Sequence, residues 1–254
     1  MSDISIDINC DIGETSIVQL PDQMKFLDYV SSCNIATGFH AGDPYTMHTI
    51  VRKAVEKGVT VGLHPSYPDK ANFGRRSVIM TDEELYASLI YQAGSMEAMC
   101  TMVGSRLHHI KLHGALYHDA HQQEKIASVV IRFLRHWPQT LMIYGQNPSI
   151  LHQMADYYGL PWVTEAFADR RYDDDGRLIS REFVEGVIHD LNSAVQQVIG
   201  IARDQMVYSL SGSKINVNAG TICIHSDHPG SLKLAGRLKS TLLHYGISIN
   251  PPNL

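Results

Sequence analysis

Four histidines close short apolar segments of the chain at equivalent places. The segments are "NIATGFH", "VTVGLH", "IKLH" and "TICIH", which end at His40, His64, His113 and His225. One such histidine alone is most simply a buried structural residue. Four in the same register predict a shared site, because imidazole can bind a metal ion or move protons near neutral pH.

Acidic and basic side chains occupy the same register as these histidines. Asp11 ends the strand-like segment "DINCD", Lys111 precedes His113 by two residues, and Glu165 begins "EAFAD". A charged group on the inner face of a strand must be paired, hydrated or metal-bound, so these residues are candidates for acid–base chemistry. We expect Asp11 or a histidine to act as the base, and His64 and His113 to carry protons. The predicted catalytic set is Asp11, His40, His64, Lys111, His113 and Glu165.

A second group of polar residues is expected to bind the substrate. The arginine that follows Asp169 in "DRRY" can bind a carboxylate or phosphate through its guanidinium fork. The predicted substrate-binding set is Asn9, Asn34, Asp169, Arg170 and His225. Five histidines that lack the shared register are instead expected on the surface or in loops: His108, His109, His118, His121 and His136.

Two other interpretations of the charged residues stay open. Asp11 could pair with Lys111 for purely structural reasons. Alternatively, Asp11, His40 and His64 could hold a divalent metal ion, since one carboxylate and two imidazoles suit zinc or a neighbouring metal with water in the open position.

Alternating strand and helix patterns would position these residues. Strands are predicted near 5–12, 31–38, 59–64, 108–113, 140–144, 162–168 and 220–225. Helices are predicted near 22–30, 46–57, 82–103, 121–136, 149–158, 181–203 and 231–244. The alternation indicates parallel βαβ units. Seven units without a domain break predict an α/β fold, a seven-stranded TIM-like (β/α) barrel over residues 1–254, with a doubly wound open sheet as the alternative. Active sites of such barrels lie at the C-terminal mouth, where the polar strand ends would meet.

Composition narrows the class of protein. The chain has 254 residues, with 21 basic and 26 acidic side chains, so nothing in its charge favours nucleic acid as a partner. No apolar run approaches the roughly 20 residues that span a bilayer, and the N-terminus does not resemble a secretory signal. Four scattered cysteines without a C-x-x-C pair favour a reducing compartment, and we expect a cytoplasmic protein without a membrane partner. Neither a phosphate loop nor a dinucleotide-binding motif is present.

Several segments resemble blocks of the LamB/YcsF family, in the family's order and over nearly the whole chain. The segments are "DINCDIGE", "NIATGFHAGDP", "HPSYPD", "NFGRR", "KLHGALY", "EAFADRRYDDDGRLISR" and "CIHSDHP". The resemblance implies a (β/α)7 barrel related to the glycoside hydrolase/deacetylase barrels. It also implies ATP-dependent hydrolysis of the 5-oxoproline (pyroglutamate) lactam to L-glutamate, with this chain as the A subunit of an assembly that contains B and C subunits.

Three alternatives to that activity follow from the same residues. Ser226 and His228 depart from the family pattern in a mouth loop, which keeps a related lactam open as the substrate. A metal-dependent deacetylase or amide hydrolase would use Asp11, His40 and His64 as ligands. A non-catalytic subunit that binds a small ligand or scaffolds its partners would need none of this chemistry.

Overall fold

A closed parallel barrel forms the centre of the computed structural model, which describes residues 4–180, 183–226 and 230–253. The strands, in chain order, are Ser5–Ile12 (β1), Ser32–Ala36 (β2), Thr60–His64 (β3), His109–Ile110 (β4), Met142–Gly145 (β5), Trp162–Phe167 (β6), Met206–Tyr208 (β7), Lys214–Asn216 (β8), Thr221–Ile224 (β9) and Ser248–Ile249 (β10). Strands β1 to β6 pair in order, β6 pairs with β9, and β9 pairs with β1. The predicted seven-stranded α/β barrel is therefore confirmed, and the open sheet is excluded.

Helices follow the barrel strands on the outside. They are Leu20–Gln23 (α1), Pro44–Glu56 (α2), Asp82–Met102 (α3), Gly114–Gln122 (α4), Glu124–His136 (α5), Ile150–Tyr157 (α6), Leu191–Ile199 (α7) and Ser231–His244 (α8). Short 3-10 turns cover Met24–Asp28, Lys70–Asn72 and Val184–Gly186, and a π-turn covers Gly200–Asp204. Local sequence explains the starts of two long helices: Asp43 caps α2 ahead of Pro44, and Thr81 forms a capping box with Glu84 on α3. Among the described residues, no helix is long and apolar enough to cross a membrane.

The predicted helix over 181–203 begins too early. Residues 184, 187, 188, 191, 195 and 198 are apolar at helical spacing, which favours one continuous helix in the sequence. In the structure, α7 begins only at Leu191, because the Asp190 side chain accepts a hydrogen bond from the backbone N–H of Ser193. The chain before it makes one 3-10 turn at Val184–Gly186. Helix α4 and the β7–β8 hairpin were not predicted at all.

The alternation of β1 decides what faces the barrel interior. Ile6, Ile8, Cys10 and Ile12 belong to the apolar core of the molecule. The residues between them bond across the barrel interior instead: Asn9 Nδ2 donates to Glu165 Oε1 on β6 at 3.2 Å. At the N-terminal end of the same face, Asp7 accepts hydrogen bonds from Ser31, Ser32 and Thr221. The inner face of β1 is therefore polar along its length, with Asp7 at its N-terminal end and Asp11 at its C-terminal end.

The burial of the His121 ring indicates how the free energy of unfolding depends on pH. Its Nδ1 donates to Tyr117 O at 2.5 Å and its Nε2 accepts the N–H of Gln146 at 3.1 Å, so the ring is held neutral. Burial lowers its pKa from 6.5 to about 4. In the unfolded chain the His121 ring is protonated below about pH 6.5, whereas in the folded chain it is protonated only below about pH 4. The free energy of unfolding therefore falls as the pH falls from about 6.5 to about 4. Between pH 6.5 and 5 the loss from this group is about 2 kcal/mol.

Urea unfolding at neutral pH and at pH 5 tests this expectation. His121→Asn should lose less stability between the two pH values than the unaltered chain does. His48→Asn, which replaces an exposed histidine on α2, should follow the unaltered chain. An equal loss in all three proteins would show that His121 is not the group that titrates.

Candidate active site

The C-terminal mouth of the barrel opens into a cavity of about 430 Å³. Its wall combines charged, imidazole and aromatic side chains from the strand ends and from the loops that follow them. Among them are Asp11, Glu14, His64, Phe73, Lys111, His113, Phe167, Arg170 and His225. The polar strand ends therefore meet at one mouth, as their register predicted.

Lys111 is a buried ammonium group between two carboxylates. Its Nζ lies 3.0 Å from Asp11 Oδ1, 2.8 Å from Glu165 Oε1 and 2.9 Å from Cys223 Sγ. The two acids come from β1 and β6, and they reach one cation because the barrel closes between those strands. We call these four residues the Lys111 cluster.

The charges of this cluster follow from its contacts. Burial alone would lower the pKa of Lys111, but Asp11, Cys223 and Glu165 beside it hold that pKa well above its ordinary value. Burial would raise the pKa of Asp11, but the Lys111 ammonium beside it holds that pKa below its ordinary value. Burial keeps the pKa of Glu165 raised despite Lys111. At neutral pH Lys111 is therefore a cation and Asp11 its ionised partner on the cavity wall.

Asn9 and Asn34 lie beneath this pair. Asn34 Nδ2 donates to Asp11 Oδ1 and to Asn9 Oδ1, each at 2.7 Å. Both amides are fully buried, and neither lines the cavity. Their predicted role in substrate binding stays a prediction, whereas their contacts orient Asp11.

A second cluster consists of Glu14, His40, His64 and His113, and we call it the histidine cluster. Glu14 Oε1 lies 2.9 Å from His40 Nε2, 3.5 Å from His64 Nε2 and 3.2 Å from His113 Nδ1. Burial lowers the pKa of His64 to about 3, so that ring is neutral at physiological pH.

The loop after β3 packs against the histidine cluster. The Phe73 ring makes T-shaped contacts with the His40 and His113 rings. The backbone carbonyl oxygen of Phe73 lies 2.8 Å from His113 Nε2. A Cβ on Gly74 would lie 2.9 Å from His40 Cβ and 3.0 Å from His113 Cδ2, and its φ is +64°. Glycine is therefore required here for both space and backbone conformation.

Asp169 and His225 form an acid–imidazole pair on the other side of the mouth. Asp169 is buried, and its carboxylate oxygens lie 2.8 and 3.0 Å from His225 Nδ1. Arg170 follows in the chain and donates to Ile179 O and Gly186 O while it lines the cavity. The pair fixes one ring nitrogen of His225 and leaves Nε2 for other partners.

Among the described residues, two groups of side chains lie closely enough together to hold a metal ion. In the histidine cluster the four ligand atoms lie within 4.8 Å of one another, and so do those of Asp11, Cys223 and His225. The second group suits a cation poorly, because the Lys111 ammonium lies 2.9 Å from Cys223 Sγ and burial raises the pKa of that thiol. The first group joins Glu14, rather than the predicted Asp11, to His40 and His64.

Sequence reasoning missed Glu14 and misplaced two histidines, His109 and His121. His121 was expected on the surface or in a loop but is buried on α4. Glu14 follows the break at Gly13, where the strand alternation no longer assigns a face. His109 was expected on the surface but is fully buried, with Nε2 2.7 Å from Asn34 Oδ1 and its ring stacked on Tyr144. The strand alternation could have placed His109 in the interior, because residues 109, 111 and 113 fall on the same face of the strand.

The amino-acid sequence is similar to a known protein family and to named members of it. Residues 6–253 match the LamB/YcsF family. The A subunit of the 5-oxoprolinase of Bacillus thuringiensis subsp. konkukian (strain 97-27) is 39% identical over 250 residues, which cover 98% of this chain and 99% of that protein. The chain belongs to the LamB/YcsF family.

Solved structures agree with the family's fold. The crystal structure of a lactam utilization protein from Thermus thermophilus superposes with a TM-score of 0.91 at 32% identity, covering 98% of this chain and all of that one. A peptidoglycan N-acetylglucosamine deacetylase domain from Eubacterium rectale ATCC 33656 superposes with a TM-score of 0.52 at 13% identity, covering 98% of this chain and 89% of that one. The second likeness concerns the fold alone.

Of the two residues that depart from the family pattern, Ser226 lies in the described part of the chain. Ser226 Oγ donates to Asp11 O at 2.8 Å and accepts from Gln23 Nε2 at 2.9 Å, so it ties the end of β1 to α1. His228 lies outside the described residues. The contact of Ser226 is with the backbone of Asp11, which supports the position of that residue at the mouth.

Proposed function

We propose that this chain is the A subunit of a hydrolase that opens the lactam of 5-oxoproline to L-glutamate with ATP, together with B and C subunits. The name of the Bacillus relative and its nearly full-length similarity support the substrate and the subunit role. The name of the Thermus protein supports a lactam as the substrate class. The structural observation that carries the proposal is the Asp11–Lys111 ion pair on the wall of a cavity that also contains imidazoles.

Hydrolysis of a lactam places three demands on such a site. Water must lose a proton as its oxygen bonds to the carbonyl carbon, the carbonyl oxygen must carry negative charge, and the nitrogen must gain a proton as the C–N bond breaks. Asp11 is ionised and lines the cavity, so we assign it to orient and deprotonate the water. Lys111 lies beside it as the cation that stabilises the oxyanion.

His225 is our candidate for protonating the departing nitrogen. Asp169 holds its Nδ1, in the same way that a buried carboxylate orients the imidazole of a hydrolase triad. Arg170 lines the same cavity, and we retain it as the residue that binds the substrate carboxylate. Coupling to ATP is proposed because an unstrained amide is a poor electrophile. Transfer of the γ-phosphoryl group to its carbonyl oxygen, with release of ADP, would open the ring carbon to attack by one water, and after the C–N bond breaks a second water would release the group as inorganic phosphate.

The deciding experiment is glutamate release from 5-oxoproline by this chain with candidate B and C subunits. Glutamate should form only when ATP and all three subunits are present, and ADP should form with it. A parallel reaction with 2-pyrrolidinone tests the related-lactam alternative. Absence of glutamate, while the same B and C subunits are active with the Bacillus relative in place of this chain, would refute the proposal.

Metal-dependent amide hydrolysis without a nucleotide is the second candidate. The convergence of three imidazoles and one carboxylate at the mouth favours it. It predicts amide cleavage by this chain alone, without ATP, that a chelator abolishes. The nucleotide requirement in the first experiment therefore separates the two functions.

A further inference from the structure

The protons of the three clustered histidines can be placed from their outer partners. His64 Nδ1 lies 2.7 Å from Lys111 O, and His113 Nε2 lies 2.8 Å from Phe73 O. A carbonyl oxygen only accepts hydrogen bonds, so each of these nitrogens carries a proton. When both rings are neutral, His64 Nε2 and His113 Nδ1 are their lone-pair nitrogens.

The proton of His40 can be placed in the same way. Ser66 Oγ donates to Tyr67 O at 2.9 Å, and it therefore accepts from His40 Nδ1 at 3.0 Å. His40 Nε2 is thus the third lone-pair nitrogen. Oxygen partners on the outer nitrogens of ligating histidines are a regular feature of metal sites, where they fix the tautomer.

The three nitrogens lie close to one another and to a carboxylate oxygen, with the His40 and His113 rings stacked at a centroid separation of 3.7 Å. His64 Nε2 lies 3.0 Å from His113 Nδ1, a contact with no proton between the atoms when both rings are neutral. Glu14 Oε1, an acceptor as well, lies 2.9 to 3.5 Å from all three nitrogens. Four acceptor atoms at these separations repel one another unless a cation lies among them.

The separations match the size of a metal coordination shell. Ligand atoms about 2.0–2.1 Å from a tetrahedral zinc ion lie about 3.3–3.4 Å from one another. Four of the six ligand–ligand distances in the histidine cluster span 2.9 to 3.5 Å, and all six lie within 4.8 Å. Three imidazole nitrogens and one carboxylate oxygen suit zinc and the neighbouring first-row divalent ions, whereas magnesium and calcium prefer oxygen ligands.

We propose that Glu14, His40, His64 and His113 bind one divalent first-row transition-metal ion at the mouth of the barrel. Glu14, His64 and His113 also line the cavity, so the ion would lie at the cavity wall, with His40 behind it. The Asp11 carboxylate lies next to this site, with Oδ2 3.6 Å from His64 Nε2. Such an ion would supply a Lewis acid to the cavity. The site rests on its ligand atoms alone and does not depend on the lactam assignment.

Metal binding by the full-length chain tests this inference without any substrate. The chain is freed of metal with a chelator and titrated with Co²⁺ and with Zn²⁺, by visible absorption and by calorimetry. We expect one equivalent of each ion to bind, and the Co²⁺ form to show the intense absorption of a tetrahedral site. The added ion should also raise the thermal unfolding temperature.

Variants locate the ion. Glu14→Gln and His113→Asn each remove one ligand, and each should weaken binding by at least about 100-fold. His225→Asn is the matched control, because it removes an imidazole from the other convergent group. Circular dichroism of the metal-free variants confirms that each is folded.

Three results would overturn the inference. They are no binding by the unaltered chain, unchanged affinity in both ligand variants, and loss of binding only in His225→Asn. The first would leave a shared proton between the imidazoles and Glu14 as the explanation of the contacts. Metal binding without glutamate release would refute the proposed function alone, and glutamate release by a chain that binds no metal would refute this inference alone.

Discussion

Replacing Asp11 with asparagine is expected to lower the turnover of 5-oxoproline by the three-subunit assembly about 10²- to 10⁴-fold. The amide has the shape of the carboxylate and can keep the hydrogen bond from Asn34, so the barrel should fold. It cannot accept a proton from water, and it no longer pairs with the Lys111 ammonium 3.0 Å away. Because Glu165 still neutralises Lys111, the loss should appear in kcat rather than in stability.

Asp7→Asn is the matched control for this variant. Asp7 lies on the same face of the same strand, four residues earlier, and is bonded to Ser31, Ser32 and Thr221 at the opposite end of the barrel. Burial raises the pKa of Asp7, so a neutral side chain is tolerated there. We expect Asp7→Asn to retain kcat and Asp11→Asn to lose it. An Asp11→Asn assembly within about threefold of the unaltered rate would remove Asp11 from the mechanism.

Gly62→Ala is expected to destabilise the chain by about 3 kcal/mol. A Cβ on Gly62 in β3 would lie 2.0 Å from His109 Nε2 and 2.4 Å from both adjacent ring carbons. The ring cannot move aside, because Nε2 is bonded to Asn34, Nδ1 lies 3.1 Å from His108 Nδ1, and Tyr144 stacks on its face. The added methyl group must therefore displace a strand or expel the histidine.

Urea unfolding of single and double variants measures this effect. Gly62→Ala combined with His109→Ala should recover part of the loss, since the second change removes the ring that the methyl group meets. Gly94→Ala is the control, because a Cβ at that position of α3 would meet no atom within 4 Å other than the adjacent backbone of the helix and its chain neighbours. Alanine there should be neutral or stabilising by a few tenths of a kcal/mol. Strictly additive losses in the double variant would show that the contact with His109 is not the cause.

The barrel and the residues of its inner face were predictable from the chain alone. Strand alternation assigns Asn9 and Asp11 to one face of β1 and the isoleucines to the other, and the structure confirms that assignment. Alternating strand and helix patterns predicted all seven barrel strands. Both signals are local, because a strand repeats every two residues and a helix every 3.6 whatever the rest of the chain does.

Local periodicity also has limits within this chain. The apolar spacing over 184–198 is helical, yet the structure begins α7 at Leu191, where Asp190 provides the cap. His109 was misplaced for the opposite reason. In the strand alternation, residue 109 falls on the inward face with Lys111 and His113. Its ring fits there only because Gly62 on the neighbouring strand has no side chain.

Only the tertiary structure decided which polar residues meet. Lys111 touches Asp11, 100 residues away in the chain, because closure of the barrel brings β1 and β4 to the same interior. Glu14 joins three histidines from three different loops and strand ends, and no sequence spacing relates it to them. The sequence by itself determined the barrel, its polar mouth and the family. Folding decided that three imidazole nitrogens and one carboxylate oxygen lie within 4.8 Å of one another, since the outer carbonyl and hydroxyl partners of those rings lie on distant segments.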